Sequence, residues 1–410
     1  MNTPGATNHG PVTEVDAVIV GARCAGSTLA TVLARQGMEV VLIDRDEFPS
    51  DTISTHLIYP NTLARLSELG ILDRLLAAHT VPMLQFRLIG FGHESGGNFT
   101  PVDGFDTCAA PRRVALDSAI VETALAAGAK SRFGQKVVDL IGPGSTEDPV
   151  AGVVLENGEQ IRAPWVFGAD GRASTIAGKL GIEKERPVRG EVSYLLGYWR
   201  GLPNDGFATS DIKSDAILSR WAGEDDTTLI TAWGDADFTK GSKPELRERY
   251  FETLRRFPNS VDFAELDRAE MFLELIVAPE TLMRGYFRRP VGPGWALVGD
   301  ACHFKHPGTA QGISDAIEQA IYIGEALAGR DPELAQYEAW RDARAAEHYE
   351  WSFSWGKFPP TDVLFKAWAA EPDVAKEVRD TFSRVKEPSQ VLTRERLTRW
   401  FGGQPAGATA

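Results

Sequence analysis

Cysteine is scarce in this 410-residue chain, with only Cys24, Cys108 and Cys302 and no paired spacing among them. A disulfide frame and a cysteine-based zinc site are thereby excluded. The seven histidines show no ligand spacing, so no metal is expected. No apolar run approaches the ~20 residues of a membrane span, and Met1 to Glu14 lacks the basic-then-apolar layout of a secretory leader. Positive charge is also in deficit: 43 Lys and Arg face 57 Asp and Glu, a net charge of −14. That balance argues against nucleic acid or an anionic membrane as the main partner. A cytoplasmic protein of one or two domains with a large core is the expectation.

What is present begins with Val15–Asp44. Val15-Asp-Ala-Val-Ile-Val-Gly21 is a short apolar run with β-branched residues, followed at once by Gly21-Ala22-Arg23-Cys24-Ala25-Gly26. Gly21 lets the chain turn tightly out of a strand, and Gly26 lets the next helix pack closely on the sheet. Backbone N–H groups at the start of that helix then face an anion, which the helix dipole favours. Asp44 closes a second apolar run, Glu39-Val-Val-Leu-Ile-Asp44, at about the 20-residue offset of a carboxylate that holds a ribose hydroxyl. Strand, glycine turn, helix, strand and acid together form a dinucleotide-binding signature, with Arg23 where the usual pattern has glycine.

Two later segments share the form of a strand ending in a ligand-facing acid. One is Trp165-Val-Phe-Gly168-Ala-Asp170-Gly171-Arg172-Ala-Ser174; the other is Gly294-Trp-Ala-Leu-Val-Gly299-Asp300-Ala-Cys-His303, continued by Pro307-Gly308-Thr-Ala310-Gln311-Gly312-Ile-Ser314 and a helix to Leu327. With Gly21-x-Arg23-x-x-Gly26, these resemble, in order, the three fingerprints of the single-component (group A) FAD-dependent monooxygenases with the para-hydroxybenzoate hydroxylase fold. Arg113-Val-Ala-Leu116-Asp117 resembles that family's Arg-x-x-Leu-Asp helix, whose arginine reaches the flavin.

The resemblance implies an α/β fold: a Rossmann-like, GR2-type FAD-binding domain with an inserted, mainly antiparallel β-sheet domain for the substrate, and a C-terminal helical segment. Residues 1–80, 105–190 and 280–330 would make the discontinuous FAD domain, 81–104 and 191–279 the substrate sheet, 331–401 the helical segment and 402–410 a flexible tail. The cofactor would be FAD, held by Gly21, Ala22, Arg23, Ala25, Gly26, Asp44, Arg45, Arg113, Asp170, Gly299, Asp300, Pro307, Ala310, Gln311 and Gly312. Asp300 would accept hydrogen bonds from the ribityl chain. Residues 310–312, at a helix N-terminus, would stabilise negative charge on reduced flavin. NADH or NADPH would supply electrons. The family usually has Gly at position 310, Asn at 314 and often Arg at 177, where this chain has Ala310, Ser314 and Ala177; the missing arginine keeps a partner flavin reductase open as the donor.

Glu191–Trp199, Asp215–Trp221 and Thr227–Trp233 read as strands of the inserted sheet, the last two joined by a hairpin-length loop. Residues 81–104 add strands to it. After Arg330 the chain turns helical and aromatic (Tyr337, Trp340, Tyr349, Trp351, Phe353, Trp355, Phe358, Phe365, Trp368), either a cap over an apolar substrate or a helical pair packed on the core. The spacing of Trp351 and Trp355 does not match the tryptophan motif of flavin halogenases. His56 and Lys305 are the candidate catalytic side chains, with His303 and His306 beside the flavin-facing turn. The expected activity is hydroxylation or epoxidation of an aromatic or unsaturated small molecule by a C4a-hydroperoxide formed from reduced flavin and O2. A reductase or dehydrogenase of the geranylgeranyl-reductase type and a non-catalytic flavin-binding protein are the alternatives.

Overall fold

The computed structural model describes residues 12–355 and 362–402. Phe358, residues 403–410 of the expected tail and most of the Met1–Glu14 stretch lie outside the described residues. Ala17–Val20 is buried at every position, which explains its unbroken apolar run: a central parallel strand is covered on both faces and shows no alternation. It lies inside a six-stranded sheet ordered Val291–Gly292, Trp295–Leu297, Trp165–Gly168, Ala17–Val20, Val40–Ile43, Lys130–Arg132, parallel except at the first pair.

The register of this sheet places the site. Gly168 pairs with both Val20 and Leu297, and Val20 pairs with Ile43. The three motif strands therefore stop at one level, and Gly21, Asp44, Asp170 and Gly299 leave the sheet side by side at its carboxyl edge, where open α/β sheets bind ligands. Helix Cys24–Arg35 covers one face with Leu29, Ala30 and Leu33, all fully buried; each leucine contributes about 1.5–3 kcal/mol. Helix Gly312–Glu325 crosses it so closely that a Cβ on Gly324 would stand 2.2 Å from Val32 Cγ1.

The expected second sheet is present and larger than the three strands and residues 81–104 suggested. Its order is Glu270–Met271, Val192–Arg200, Thr227–Asp235, Ile217–Ala222, Phe207–Ile212, Gln85–Gly90, His93–Gly97, antiparallel except where Phe207–Ile212 runs parallel to Gln85–Gly90. Helix Lys243–Arg255, for which no expectation was made, covers its outer face with Tyr250 and Leu254 against Leu195, Trp199 and Leu218. Its start carried a legible signal, the reciprocal capping of Ser242 and Glu245 followed by a proline at the helix entry. A separate four-stranded sheet of Val12–Glu14, Gln160–Arg162, Gly152–Leu155 and Val137–Ile141 was likewise not anticipated. The aromatic C-terminal region forms helices Tyr337–Trp355, Asp362–Ala370 and Pro372–Phe382.

Candidate active site

At the glycine turn the backbone leaves no room for side chains. Gly21 has φ +103°, and a Cβ there would lie 2.3 Å from the Ala169 carbonyl oxygen; one on Gly26 would lie 1.8 Å from the Gly21 carbonyl oxygen. Helix Cys24–Arg35 starts at Arg23 with no side-chain cap and no acid in its first turn, so Ala25 and Gly26 sit among N–H groups that face outward. Asp44 holds the turn: its Oδ2 accepts from the Ala22 N–H at 2.7 Å and its Oδ1 from the Asp46 N–H at 2.9 Å. Arg45 points to the surface, 73% exposed, 4.0 Å from Asp46.

Below that helix start lies a buried charge cluster. Asp117, fully buried, accepts from Arg113 through both of its oxygens at 2.9 Å and from Arg23 at 2.9 Å. Arg23 also reaches Asp46 Oδ2 at 3.3 Å, so the two guanidinium groups beside the bare helix N–H groups are matched by two carboxylates. Cys24 Sγ lies 3.2 Å from the same carboxylate, and burial pushes its thiol pKa up, which leaves it an inert packing group.

The other end of the crevice carries acids that the protein leaves underused. Asp170 Oδ2 accepts from the Thr175 and Ile176 N–H groups, while the buried Oδ1 has no partner among the described residues. Burial pushes the Asp170 carboxyl above its usual range. Asp300 follows Gly299 in a single helical turn, half-buried, and its carboxyl is also raised by burial, with Arg172, His303 and Arg113 acting in the opposite direction. Gly299 donates its N–H to Gln319 Oε1 at 2.8 Å, which ties the Gly299-Asp300 turn to the long helix Gly312–Glu325.

The turn before that helix is held from both sides. Pro307–Thr309 is a short 3-10 turn, closed by the Gly308 N–H donating to His306 Nδ1 at 3.1 Å. Ala310 then adopts φ +50°, ψ 33°, the left-handed region. This is why the family pattern has glycine here, and alanine costs about 1–2 kcal/mol of backbone strain. Gln311 donates through Nε2 to the Thr381 and Phe382 carbonyl oxygens, each at 3.0 Å. Gly312 opens the helix with no side-chain cap at Gln311. At position 314 the short serine is joined by a neighbouring amide: Asn61 Nδ2 donates to Ser314 Oγ at 2.7 Å.

Lys305 does not present a free cation to the cavity. It is 4% exposed, and its ammonium stands 2.8 Å from Asp315 Oδ2, without the alignment of a hydrogen bond. Burial lowers its pKa to about 8, with Arg384 acting in the same direction. Asp315 also pairs with Arg384 and lies 3.5 Å from His303 Nε2; burial would raise its carboxyl, but Arg384 and Lys305 outweigh that and hold it well below the usual range.

Between the turn and the second sheet lies a cavity that opens partly to solvent. Pro307, Gly308 and Ala310 form one wall; Leu57, Tyr59, Phe86, Leu88, Trp221 and Trp233 form the apolar body; Trp355 and Phe382 close it from the C-terminal segment. Two of the aromatic C-terminal residues thus face the cavity, while Trp351 and Trp368 pack behind them. Thr55, Ser210 and Ser219 complete the lining, which contains no charged side chain among the described residues. His56 adjoins this wall, 2% exposed and stacked on Tyr198 at 5.7 Å between ring centroids. Because a carbonyl only accepts, the 3.0 Å contact between His56 Nδ1 and the Ala110 oxygen puts the proton on Nδ1. Its Nε2 is then a buried acceptor with no partner among the described residues. Burial lowers the His56 pKa to about 3, so the ring is neutral at physiological pH. Sequence reasoning missed Tyr59, Ser210, Ser219 and Phe382 as cavity residues.

The FAD binding domain family profile matches residues 14–252, more than half of the chain. The chain belongs to that family. Within this FAD-binding family it is similar to menaquinone reductase of Mycolicibacterium smegmatis, 28% identical over 350 residues that cover 83% of each chain. It is also similar to 6-methylpretetramide 4-monooxygenase of Streptomyces rimosus, 30% identical over 338 residues that cover 76% of this chain and 55% of the other. Among solved structures, a flavoprotein/dehydrogenase from Cytophaga hutchinsonii superposes with a TM-score of 0.77 at 16% identity, covering 95% of this chain and all of that one. A flavin-dependent brominase superposes with a TM-score of 0.73 at 19% identity over 96% of this chain and all of the other. These likenesses carry the fold, and the family makes the protein an FAD-dependent oxidoreductase. The residues fit FAD: a glycine turn that a Cβ would fill, bare helix N–H groups beside Arg23 and Arg113, and an acceptor oxygen on Asp170 with no partner among the described residues.

Proposed function

We propose that this oxidoreductase is a monooxygenase acting on an aromatic or unsaturated small molecule. Bound FAD, once reduced, would supply two electrons to O2, so that one oxygen atom enters the substrate and the other leaves as water. The observation that carries this reading is the largely aromatic cavity walled by the Pro307–Ala310 turn, uncharged among the described residues. Oxygen transfer is favoured beside such apolar walls, because water competes for the reactive oxygen. Gly21, Ala22, Ala25 and Gly26 would hold the pyrophosphate, Asp44 the ribose and Asp300 the ribityl chain, while the N–H groups at 311–312 would face the flavin ring. His56 offers a neutral acceptor for a substrate hydroxyl. Lys305 works through Asp315 as a positioning residue for the turn. NADH or NADPH serves as the reductant, directly or through a partner reductase.

The similarity to menaquinone reductase favours a second reading, reduction of an unsaturated substrate without oxygen insertion. Turnover of FAD-loaded protein with NADPH or NADH under labelled O2 separates the two. Label in the product supports the monooxygenase; a reduced product without label, formed equally well under anaerobic conditions, overturns it in favour of the reductase.

A further inference from the structure

The part of the second sheet that lines the cavity carries one row of hydroxyls among apolar side chains. Ser210 pairs with Ser219, and Ser219 with Thr231, so three neighbouring strands each place a hydroxyl at the same level. Ser210 Oγ and Ser219 Oγ lie 3.3 Å apart, and both residues line the cavity. Thr231 is already occupied, accepting from Trp233 Nε1 at 2.7 Å. Trp221 follows Ser219 by two residues, on the same face of the same strand, and also lines the cavity. It is 4% exposed, and its Nε1 is buried without a partner among the described residues. An indole N–H can only donate, and buried indoles normally find an acceptor. The rest of the cavity body is aromatic and aliphatic, and among the described residues its lining carries no charge to neutralise an anion.

We infer that Trp221 Nε1, with the Ser210 and Ser219 hydroxyls, forms a recognition subsite for an uncharged acceptor oxygen, a ketone or quinone carbonyl, on an otherwise apolar ring substrate. The inference rests on the cavity being the substrate pocket of the proposed function, and it names the substrate class: neutral, ring-bearing and oxygenated at the edge that meets the sheet. The indole donates to the carbonyl, and a serine hydroxyl supplies the second donor that a carbonyl with two lone pairs accepts. A carboxylate would enter this pocket without a counter-charge and is rejected.

The test is equilibrium binding by calorimetry to FAD-loaded, oxidised protein, with three probes of matched shape: 2-acetylnaphthalene, 2-ethylnaphthalene and 2-naphthoate. The ketone is expected to bind about tenfold tighter than the hydrocarbon, the worth of one or two buried hydrogen bonds. The carboxylate is expected to bind about a hundredfold more weakly than the ketone. Trp221→Phe and Ser219→Ala should each reduce the ketone preference severalfold while hydrocarbon affinity stays put, a pattern that a misfolded variant would not give. Equal ketone and hydrocarbon affinity in the wild type, a preference that survives both substitutions, a tighter carboxylate, or binding of none of the probes would overturn the inference. No turnover is needed, so absence of labelled oxygen in the product removes the monooxygenase reading and leaves this result standing on its own.

Discussion

Gly312→Ala separates contacts within the protein from contacts with the cofactor. Gly312 is exposed at the first position of helix Gly312–Glu325, and a Cβ built there meets no protein atom within 4 Å. The protein alone therefore tolerates the methyl, and the better helix propensity of alanine makes it neutral or up to about 1 kcal/mol stabilising. If the flavin ring packs against this turn, the same methyl intrudes into a close contact and costs about 1–3 kcal/mol, or roughly a 5- to 150-fold rise in the FAD dissociation constant. The assay is titration of the apoprotein with FAD by flavin fluorescence, alongside denaturant unfolding of the apoprotein. Gly26→Ala provides the contrast, because its Cβ would lie 1.8 Å from the Gly21 oxygen and so damages fold and binding together. An unchanged FAD affinity in Gly312→Ala would refute the placement of the flavin at residues 310–312.

Asp117→Ala leaves Arg113 and Arg23 without their shared buried carboxylate and should destabilise by about 3–5 kcal/mol, read as a drop in the denaturant midpoint; a loss below 1 kcal/mol would show the arginines re-pairing. His306 has its pKa lowered by burial from 6.5 to about 3. It stays neutral in the fold while the unfolded chain takes up a proton, so its contribution is present above pH 6.5 and is lost as pH falls towards 3. Between pH 7 and 5 the stability gap between wild type and His306→Gln should narrow by about 2 kcal/mol; a constant gap would mean that the folded ring charges. Ala310→Gly relieves the left-handed conformation at φ +50° and should stabilise by about 1 kcal/mol in denaturant unfolding. A destabilised variant would show that the Ala310 methyl packs well enough in the cavity wall to outweigh its strain.

The crevice was legible in the sequence because its determinants are local. Ala17–Val20 and Trp295–Leu297 are buried on both faces and leave continuous apolar runs, and the glycines stand where backbone meets backbone. The inserted sheet was legible as β-like runs joined by a hairpin-length loop, but the register that sets Ser210 opposite Ser219 was not, since each serine alone is an ordinary polar position on a strand. The cavity was not legible at all: residues 55–59, 86–88, 210–233, 307–310, 355 and 382 meet only in three dimensions. The same distance in sequence hid the neutralisation of Lys305, whose counter-ion Asp315 lies across the turn and on the next helix, with Arg384 arriving from the far end of the chain.

That last contact bears on how the protein is made. Gln311 holds the carbonyl groups of residues 381 and 382, and Arg384 pairs with Asp315, so the wall that shapes the cavity is fastened by residues some seventy positions further along the polypeptide. The strand nearest Trp165–Gly168 on its outer side, Trp295–Leu297, also comes late. During vectorial synthesis the glycine turn and its first helix emerge well before the pocket, which exists only once residues 381–384 have left the ribosome. A nascent or C-terminally clipped molecule would thus hold a nucleotide cradle without a reaction chamber, and any flavin it captured would be open to solvent.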